Sequence, residues 1–143
     1  MCVYISSSRD VLSPGDHVAI RHFLYTHHVL YLGGGIGAHL TLKGIVKVDM
    51  DELIGKRSFW VIRHIDPYPP EEIVKRAKSR LYDGSKYNLV FNNCEQFCSW
   101  CCTGFKWSAQ VFGAMGIGTI LGPIGHILGQ IANTRYPKYR LKR

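Results

Sequence analysis

The chain has 143 residues, of which 46% are hydrophobic and 20% are charged. This size and balance predict one globular domain with an ordinary core and leave little room for a second domain. The formal net charge of +8 predicts attraction to an acidic partner, either anionic lipid or nucleic acid, and charge alone does not choose between them.

The cysteines indicate the redox environment. There are five of them, an odd number, and four lie between Cys94 and Cys102. The N-terminus lacks the charged start, apolar run and cleavage site of a secretory signal. Together these features predict free thiols in a reducing compartment, which points to the cytoplasm.

The first half of the chain predicts short antiparallel strands. In chain order they are expected at residues 17–23, 27–32, 38–42, 45–49 and 59–63. Residues 33–37 predict a hairpin whose glycines permit positive φ, because this loop joins strand to strand and lacks the Gly-Lys-Ser/Thr ending of a phosphate-binding loop. The antiparallel pair on either side of it is expected to bring His27 and His39 close together.

A proline-rich segment at 66–70 separates these strands from a predicted helix. The helix is expected to begin near Pro70, with acidic residues in its first turn, and to stop at Asp83. Ile73 and Ala77 belong to its apolar stripe, and the rest of its surface is basic. A basic face is usually solvated, and no base-reading motif accompanies this one, so no specific nucleic-acid binding is expected.

Cys94 is the residue around which the sequence predicts chemistry. Asn92 or Asn93 is suited to cap a helix, and the apolar spacing that follows places Cys94 in its first turn. There the unpaired backbone N–H groups and the helix dipole favour the thiolate, the reactive form. A nearby imidazole, from His27 or His39, would complete the activation.

Simpler interpretations compete with this one. A cysteine near a helix start is usually a small buried hydrophobe, and Cys98, Cys101 and Cys102 are expected to be packing residues or palmitoylation sites. Cys94, Cys98 and Cys101 lie on one helix, unlike the paired Cys-x-x-Cys knuckles of structural zinc sites, so no metal is predicted there. Three further histidines are interpreted as ordinary strand residues: His22, His28 and His64.

Four ordered blocks of sequence resemble the lecithin:retinol acyltransferase (LRAT) family. They are residues 14–20 (Pro-Gly-Asp-His-Val-Ala-Ile), 26–33 (Thr-His-His-Val-Leu-Tyr-Leu-Gly), 38–40 (Ala-His-Leu) and 92–97 (Asn-Asn-Cys-Glu-Gln-Phe). The family, a circularly permuted branch of the NlpC-type cysteine peptidases, has two histidines with the same separation as His27 and His39. The resemblance implies an α+β fold, a small antiparallel β-sheet packed against helices in a permuted papain-like, NlpC-like domain.

The resemblance also implies roles for individual residues. Cys94 would be the nucleophile, His27 the general base and His39 the residue that orients His27. The implied reaction is attack of the thiolate on a glycerophospholipid ester, which gives an acyl thioester and a lysophospholipid before the acyl group passes to water, an amine or an alcohol. It requires no metal and no cofactor. Gln96 stands where the family usually has histidine, and its position in a helix is expected to affect packing or surface contacts and not the acid–base pair.

The C-terminal part predicts contact with a membrane. Residues 109–132 contain no Asp, Glu, Lys or Arg, a run long enough to span a bilayer, although its six glycines leave an interfacial segment or a soluble apolar helix as alternatives. The basic tail suits an anionic membrane surface. The chain is therefore divided into a catalytic domain at 1–106, an apolar membrane-associating segment at 107–134, whose small residues would permit self-association, and a basic tail at 135–143.

Two other functions stay open at this point. Some picornaviral non-structural proteins carry the same histidine box and Asn-Cys motif, which implies a host-factor-binding or replication role with little or no lipid chemistry. A peptidase would follow from the ancestral chemistry of the superfamily, but the ordered blocks favour the phospholipid acyltransferase or phospholipase A.

Overall fold

The computed structural model describes residues 3–6, 12–86 and 93–108. In these ranges an antiparallel sheet has the strand order β1-β6-β2-β3-β4-β5. The strands are β1 (Val3–Ser6), β2 (His17–Arg21), β3 (Thr26–Gly33), β4 (Ile36–Thr41), β5 (Gly44–Asp49) and β6 (Phe59–Ile62). The helices are α1 (Met50–Ile54), α2 (Pro70–Ser79) and α3 (Cys94–Thr103). The predicted α+β fold is confirmed.

The glycine-rich connection is a hairpin, as predicted. Gly33, Gly34 and Gly35 all have positive φ, between 61° and 99°, which a residue with a Cβ rarely adopts. The chain therefore turns back directly from β3 into β4. This places the two strands that carry His27 and His39 side by side.

Each face of the sheet has its own apolar cluster. One cluster packs Leu30, Ala38 and Leu40 of the sheet against α2 and α3. The other packs Val18, Ile20, Val29 and Phe59 with the buried side of α1. Since successive strand residues point to opposite faces, the alternation of apolar residues along β3 supplies both clusters.

Two stretches of secondary structure were not predicted. β1 pairs with β6 at the edge of the sheet. The short helix α1 follows β5 directly, and the Asp49 side chain caps it by accepting a hydrogen bond from the Glu52 N–H at 3.0 Å. The first predicted strand also ends earlier than expected, at Arg21.

α2 and α3 are joined by an arginine between two aromatic rings. The Arg76 guanidinium lies 4.1 Å from the Trp100 ring centroid and 4.7 Å from that of Tyr68. It also donates a hydrogen bond to the Trp100 carbonyl at 3.1 Å. These contacts fix α2 against α3, the helix that begins with Cys94.

Among the described residues, no helix combines the length and the apolar character needed to cross a membrane. The apolar segment predicted at 107–134 and the basic tail predicted at 135–143 lie, apart from residues 107 and 108, outside the described residues. Spanning, interfacial location and self-association of that segment stay predictions.

Candidate active site

α3 begins at Cys94 because Asn93 and Gln96 close a capping box. The Asn93 side chain accepts a hydrogen bond from the Gln96 N–H at 3.0 Å, and the Gln96 side chain accepts one from the Asn93 N–H at 3.1 Å. Two of the N–H groups that a helix start leaves without partners are thereby satisfied. Gln96 is buried, so this departure from the family pattern is a helix cap and not a surface residue.

The Cys94 thiol is buried, and burial dominates its ionisation. The pKa of Cys94 is raised to about 11, mainly by desolvation and to a smaller extent by the charge of the neighbouring Glu95. A hydrogen bond from the main-chain N–H of His28 works in the opposite direction. The backbone N–H groups of Cys94 and Glu95 at the helix start also lower the pKa, as the sequence predicted, but burial outweighs them and the net shift is upward.

Cys94 lies beside β3 where the pairing of β3 with β4 has ended. The two strands are paired between the hairpin and the Leu30–Ala38 pair. Nearer the start of β3, the main-chain N–H of His28 is directed at the Cys94 thiol. The thiol therefore lies close to the main chain of β3 at His28, beyond the last paired residues of β3 and β4.

The direction of that N–H shows on which side of β3 the thiol lies. Main-chain groups of successive strand residues point to opposite neighbouring strands. The Tyr31 N–H donates to the carbonyl of Asp16, which immediately precedes β2. The N–H of His28, three residues away, therefore points toward β4, and Cys94 lies on the side of β3 where β4 diverges.

His27 and His39 form a hydrogen-bonded pair across the same two strands. His27 Nε2 lies 2.7 Å from His39 Nδ1, and the rings meet at 84°. The pKa of His27 is lowered to about 3, mainly because the ring is buried and also because His39 lies next to it. Burial also lowers the pKa of His39. At neutral pH both rings are uncharged, and His27 Nδ1 is the nitrogen of that ring outside the pair.

The predicted site residues thus come together in part. Among the described residues a hydrogen bond joins His27 to His39, the main-chain N–H of His28 lowers the pKa of Cys94, and no hydrogen bond joins the His27 imidazole to Cys94 Sγ. The peptide group whose N–H reaches Cys94 is the one that links His27 to His28. His27, His39 and Cys94 therefore all lie near the point where the pairing of β3 with β4 ends.

The other cysteines of α3 are free thiols in the core. Cys98 and Cys101 are fully buried, and Cys102 is nearly so. Burial raises the pKa of all three thiols. They pack between α3 and the sheet.

Sequence reasoning missed a second group of histidines. His28 is on β3, as predicted, whereas His64 follows β6, so the prediction of a strand residue was wrong for His64. Their imidazoles are linked through that of His17, which accompanies them in the core. The three residues come from distant parts of the chain, and only the strand order brings them together. His22 also lies beyond the end of its strand and stacks on Tyr25.

The comparisons with known proteins identify the family. A profile described as lecithin retinol acyltransferase matches residues 10–106. The chain belongs to the lecithin retinol acyltransferase family. The matched range contains His27, His39 and Cys94, and the resemblance drawn from the sequence is confirmed.

Several curated members of this family are similar over most of the chain. Phospholipase A and acyltransferase 2 from Homo sapiens is 30% identical over 124 residues, which cover 71% of this chain and 76% of the relative. Phospholipase A and acyltransferase 4 from Homo sapiens is 28% identical over 160 aligned positions, which cover 94% and 98%. Phospholipase A and acyltransferase 1 from Rattus norvegicus is 26% identical over 134 residues, which cover 78% and 80%. These relatives support a place among the phospholipid acyltransferases and phospholipases.

Proposed function

We propose that this member of the LRAT family is a thiol-dependent phospholipid acyltransferase and phospholipase A. Cys94 is the nucleophile, His27 the general base and His39 the residue that orients His27. The observation that carries the proposal is the His27–His39 hydrogen bond, formed where β3 and β4 diverge around Cys94. The names of the relatives supply the substrate class.

The first half of the reaction forms an acyl-enzyme. His27 Nδ1 takes the thiol proton while Cys94 Sγ attacks the carbonyl carbon of a glycerophospholipid ester. Backbone N–H groups near the start of α3 are suited to stabilise the oxyanion. When the tetrahedral intermediate collapses, the ester C–O bond breaks, and the lysophospholipid leaves as an alcohol after taking the proton from His27.

The second half transfers the acyl group. Water, an amine or an alcohol attacks the thioester, and His27 accepts the proton of the attacking group. The C–S bond then breaks, and the proton returns to the Cys94 sulfur. With water the product is a free fatty acid, and with an amine or alcohol it is an amide or ester, so phospholipase and acyltransferase activity share one intermediate.

The ionisation of the two groups supports a base-assisted attack. The raised pKa of Cys94 and the lowered pKa of His27 give a neutral thiol and a neutral imidazole in the resting enzyme. A neutral imidazole is able to accept a proton, whereas an imidazolium is not. His39 fixes the His27 ring through Nε2 and leaves Nδ1 for the thiol.

A membrane surface is the proposed source of the substrate. The β2–β3 connection exposes Phe23 and Leu24, which are 98% and 86% accessible, and Leu42 of the β4–β5 turn is 85% accessible. In an antiparallel sheet with this order, both connections lie at the same end, the end from which β3 enters with His27. Exposed apolar side chains in such a cluster are typical of interaction sites.

Basic residues accompany this apolar end. Arg21 and Lys43 are exposed and adjoin the two connections. Arg57 acts electrostatically on His22, so it lies near the same end. Each basic residue near an anionic membrane contributes about 1 kcal/mol to the free energy of membrane binding. The combination favours an anionic, cytoplasm-facing membrane surface as the partner of this enzyme.

Product analysis tests the proposed function. The full chain is incubated with vesicles of phosphatidylcholine and phosphatidylethanolamine, and lysophospholipid, free fatty acid and N-acylated product are measured by mass spectrometry. The parent and Cys98→Ser are expected to form lysophospholipid, and Cys94→Ser is expected to form none. Equal product from Cys94→Ser, or no product from the folded parent, would contradict the proposal.

A further inference from the structure

A cluster of two histidines and a cysteine lies on the sheet face that carries α3. His17 Nδ1 is 2.8 Å from His64 Nε2, and the two rings stack at 11°. One ring nitrogen of each histidine and the Cys102 sulfur all lie within 4.8 Å of one another. The residues come from β2, from the segment after β6 and from the last turns of α3. They take no part in the reaction proposed for Cys94.

The donor atoms of this cluster are those of a zinc site. Imidazole nitrogen and thiolate sulfur are the usual zinc ligands, at about 2.0–2.1 Å and 2.3 Å from the metal. A neutral imidazole presents one ring nitrogen without a proton, and such a nitrogen can bind a cation. Tetrahedral binding would separate neighbouring ligand atoms by roughly 3.3–3.6 Å, which follows from those bond lengths. The His17 and His64 nitrogens would move apart from 2.8 Å, through adjustment of the partly exposed His64 ring, and the Cys102 sulfur, within 4.8 Å of both, would take up the same spacing.

A further histidine, His28, holds the His17 ring in place. Its Nε2 lies 2.7 Å from His28 Nδ1, so the ring is held from the side opposite to His64. Histidine ligands of metals almost always donate their other ring N–H to such a partner, which fixes the tautomer and the ring orientation. His17 is buried, and each of its ring nitrogens lies within hydrogen-bond distance of another histidine.

Charge also favours a cation at this place. Glu95 is buried, and its carboxyl group lies near enough to act electrostatically on both His28 and His64. A thiolate on Cys102 would add a second negative group. The Glu95 carboxylate and the Cys102 thiolate would together balance the charge of a divalent cation. This balance lowers the free-energy cost of burying the cation between the rings.

We propose that His17, His64 and Cys102 form a zinc-binding site that joins β2, the segment after β6 and the C-terminal half of α3. The fourth position is left for water or an exchangeable ligand. Binding releases the Cys102 thiol proton, and a Zn²⁺–sulfur bond replaces the S–H bond. The site is structural, since it fixes α3, the helix that presents Cys94, against the sheet. It does not depend on the proposed lipid chemistry.

Cobalt substitution tests this site directly. The chelator-treated full chain is titrated with Co²⁺, and the near-ultraviolet thiolate-to-cobalt charge-transfer band and the visible bands of tetrahedral cobalt are recorded before Zn²⁺ is added to displace the cobalt. The parent is expected to bind one ion per chain with both bands. Cys102→Ser is expected to lose the charge-transfer band, and His64→Gln is expected to weaken binding by more than the roughly 10- to 100-fold typical of changes in supporting residues.

Matched variants separate this site from others. Cys101→Ser removes the adjacent, equally buried thiol, and Cys94→Ser removes the proposed nucleophile; both are expected to keep the band and the affinity. Circular dichroism establishes that each variant is folded, and the melting temperature of the parent, but not of His64→Gln, is expected to rise with Zn²⁺. Absence of the band in the folded parent, its persistence in Cys102→Ser, or its loss in Cys94→Ser would overturn the proposal.

Discussion

The imidazoles of His27 and His39 meet almost edge to face, with 2.7 Å between His27 Nε2 and His39 Nδ1. The contact links β3 to β4 beside Cys94, at the point where the two strands stop pairing. It holds Nε2 of His27 and leaves Nδ1 outside the pair. In the proposed reaction the two histidines are unequal, because only His27 would accept the thiol proton.

His27→Ala is expected to lower the rate of phospholipid cleavage by about 10²- to 10⁴-fold, the usual contribution of a general base. His39→Ala is expected to lower it less, because His27 stays in place and loses only its orienting partner. The measurement is lysophospholipid release under single-turnover conditions. Equal losses in the two variants, or a larger loss in His39→Ala, would contradict the assigned roles.

The reactivity of Cys94 toward iodoacetamide is expected to rise about tenfold per pH unit between pH 7 and 10. The thiolate reacts, and with a pKa raised to about 11 its fraction keeps increasing through this range. Labelling is followed by peptide mass spectrometry. A plateau near neutral pH would show that the thiolate is already formed in the resting enzyme. His27→Ala is expected to slow labelling near pH 7, and unchanged labelling would argue against the pairing of His27 with Cys94.

Gln96→Ala is expected to lower the free energy of unfolding by about 0.5–1.5 kcal/mol, the usual net contribution of one hydrogen bond. The variant loses the side chain that accepts the Asn93 N–H. Urea denaturation measures the change. Gln96→His restores the family residue and is expected to keep the catalytic rate close to that of the parent. A large rate loss in that variant would assign Gln96 a role beyond capping.

Replacement of both Phe23 and Leu24 by serine is expected to reduce binding to anionic vesicles, because the two side chains are the most exposed apolar groups of the β2–β3 connection. Cleavage of a short-chain ester in free solution is expected to stay near the parent rate. Vesicle sedimentation and a spectrophotometric ester assay make the comparison. Ile65→Ser, which changes another exposed apolar residue, serves as the control. Undiminished vesicle binding by the double variant would exclude this end of the sheet as the membrane contact.

Local sequence patterns predicted much of the fold. The glycines between β3 and β4 required a hairpin, and that hairpin brought His27 and His39 together as expected. Pro70 and the acidic residues after it correctly marked the start of α2. β1 was not predicted, because its four residues show no strand pattern of their own and become a strand only by pairing with β6.

The site depended more strongly on tertiary structure. The sequence placed Cys94 at a helix start, but the sign of its pKa shift follows from burial, which no local pattern reveals. The contact of His17 with His64 crosses 47 residues of sequence, so no motif spacing marks it. Gln96 could be located in a helix, yet its capping bond depends on the backbone conformation of Asn93.

The most direct test of the central claim is the intact mass of the full chain after brief incubation with phosphatidylcholine vesicles and rapid acid quenching. We expect a mass increase of one acyl chain, reversible with hydroxylamine, in the parent and in Cys98→Ser, and no increase in Cys94→Ser. A parent without an adduct at any pH between about 6 and 9, or an adduct that persists in Cys94→Ser, would contradict a Cys94 acyl thioester.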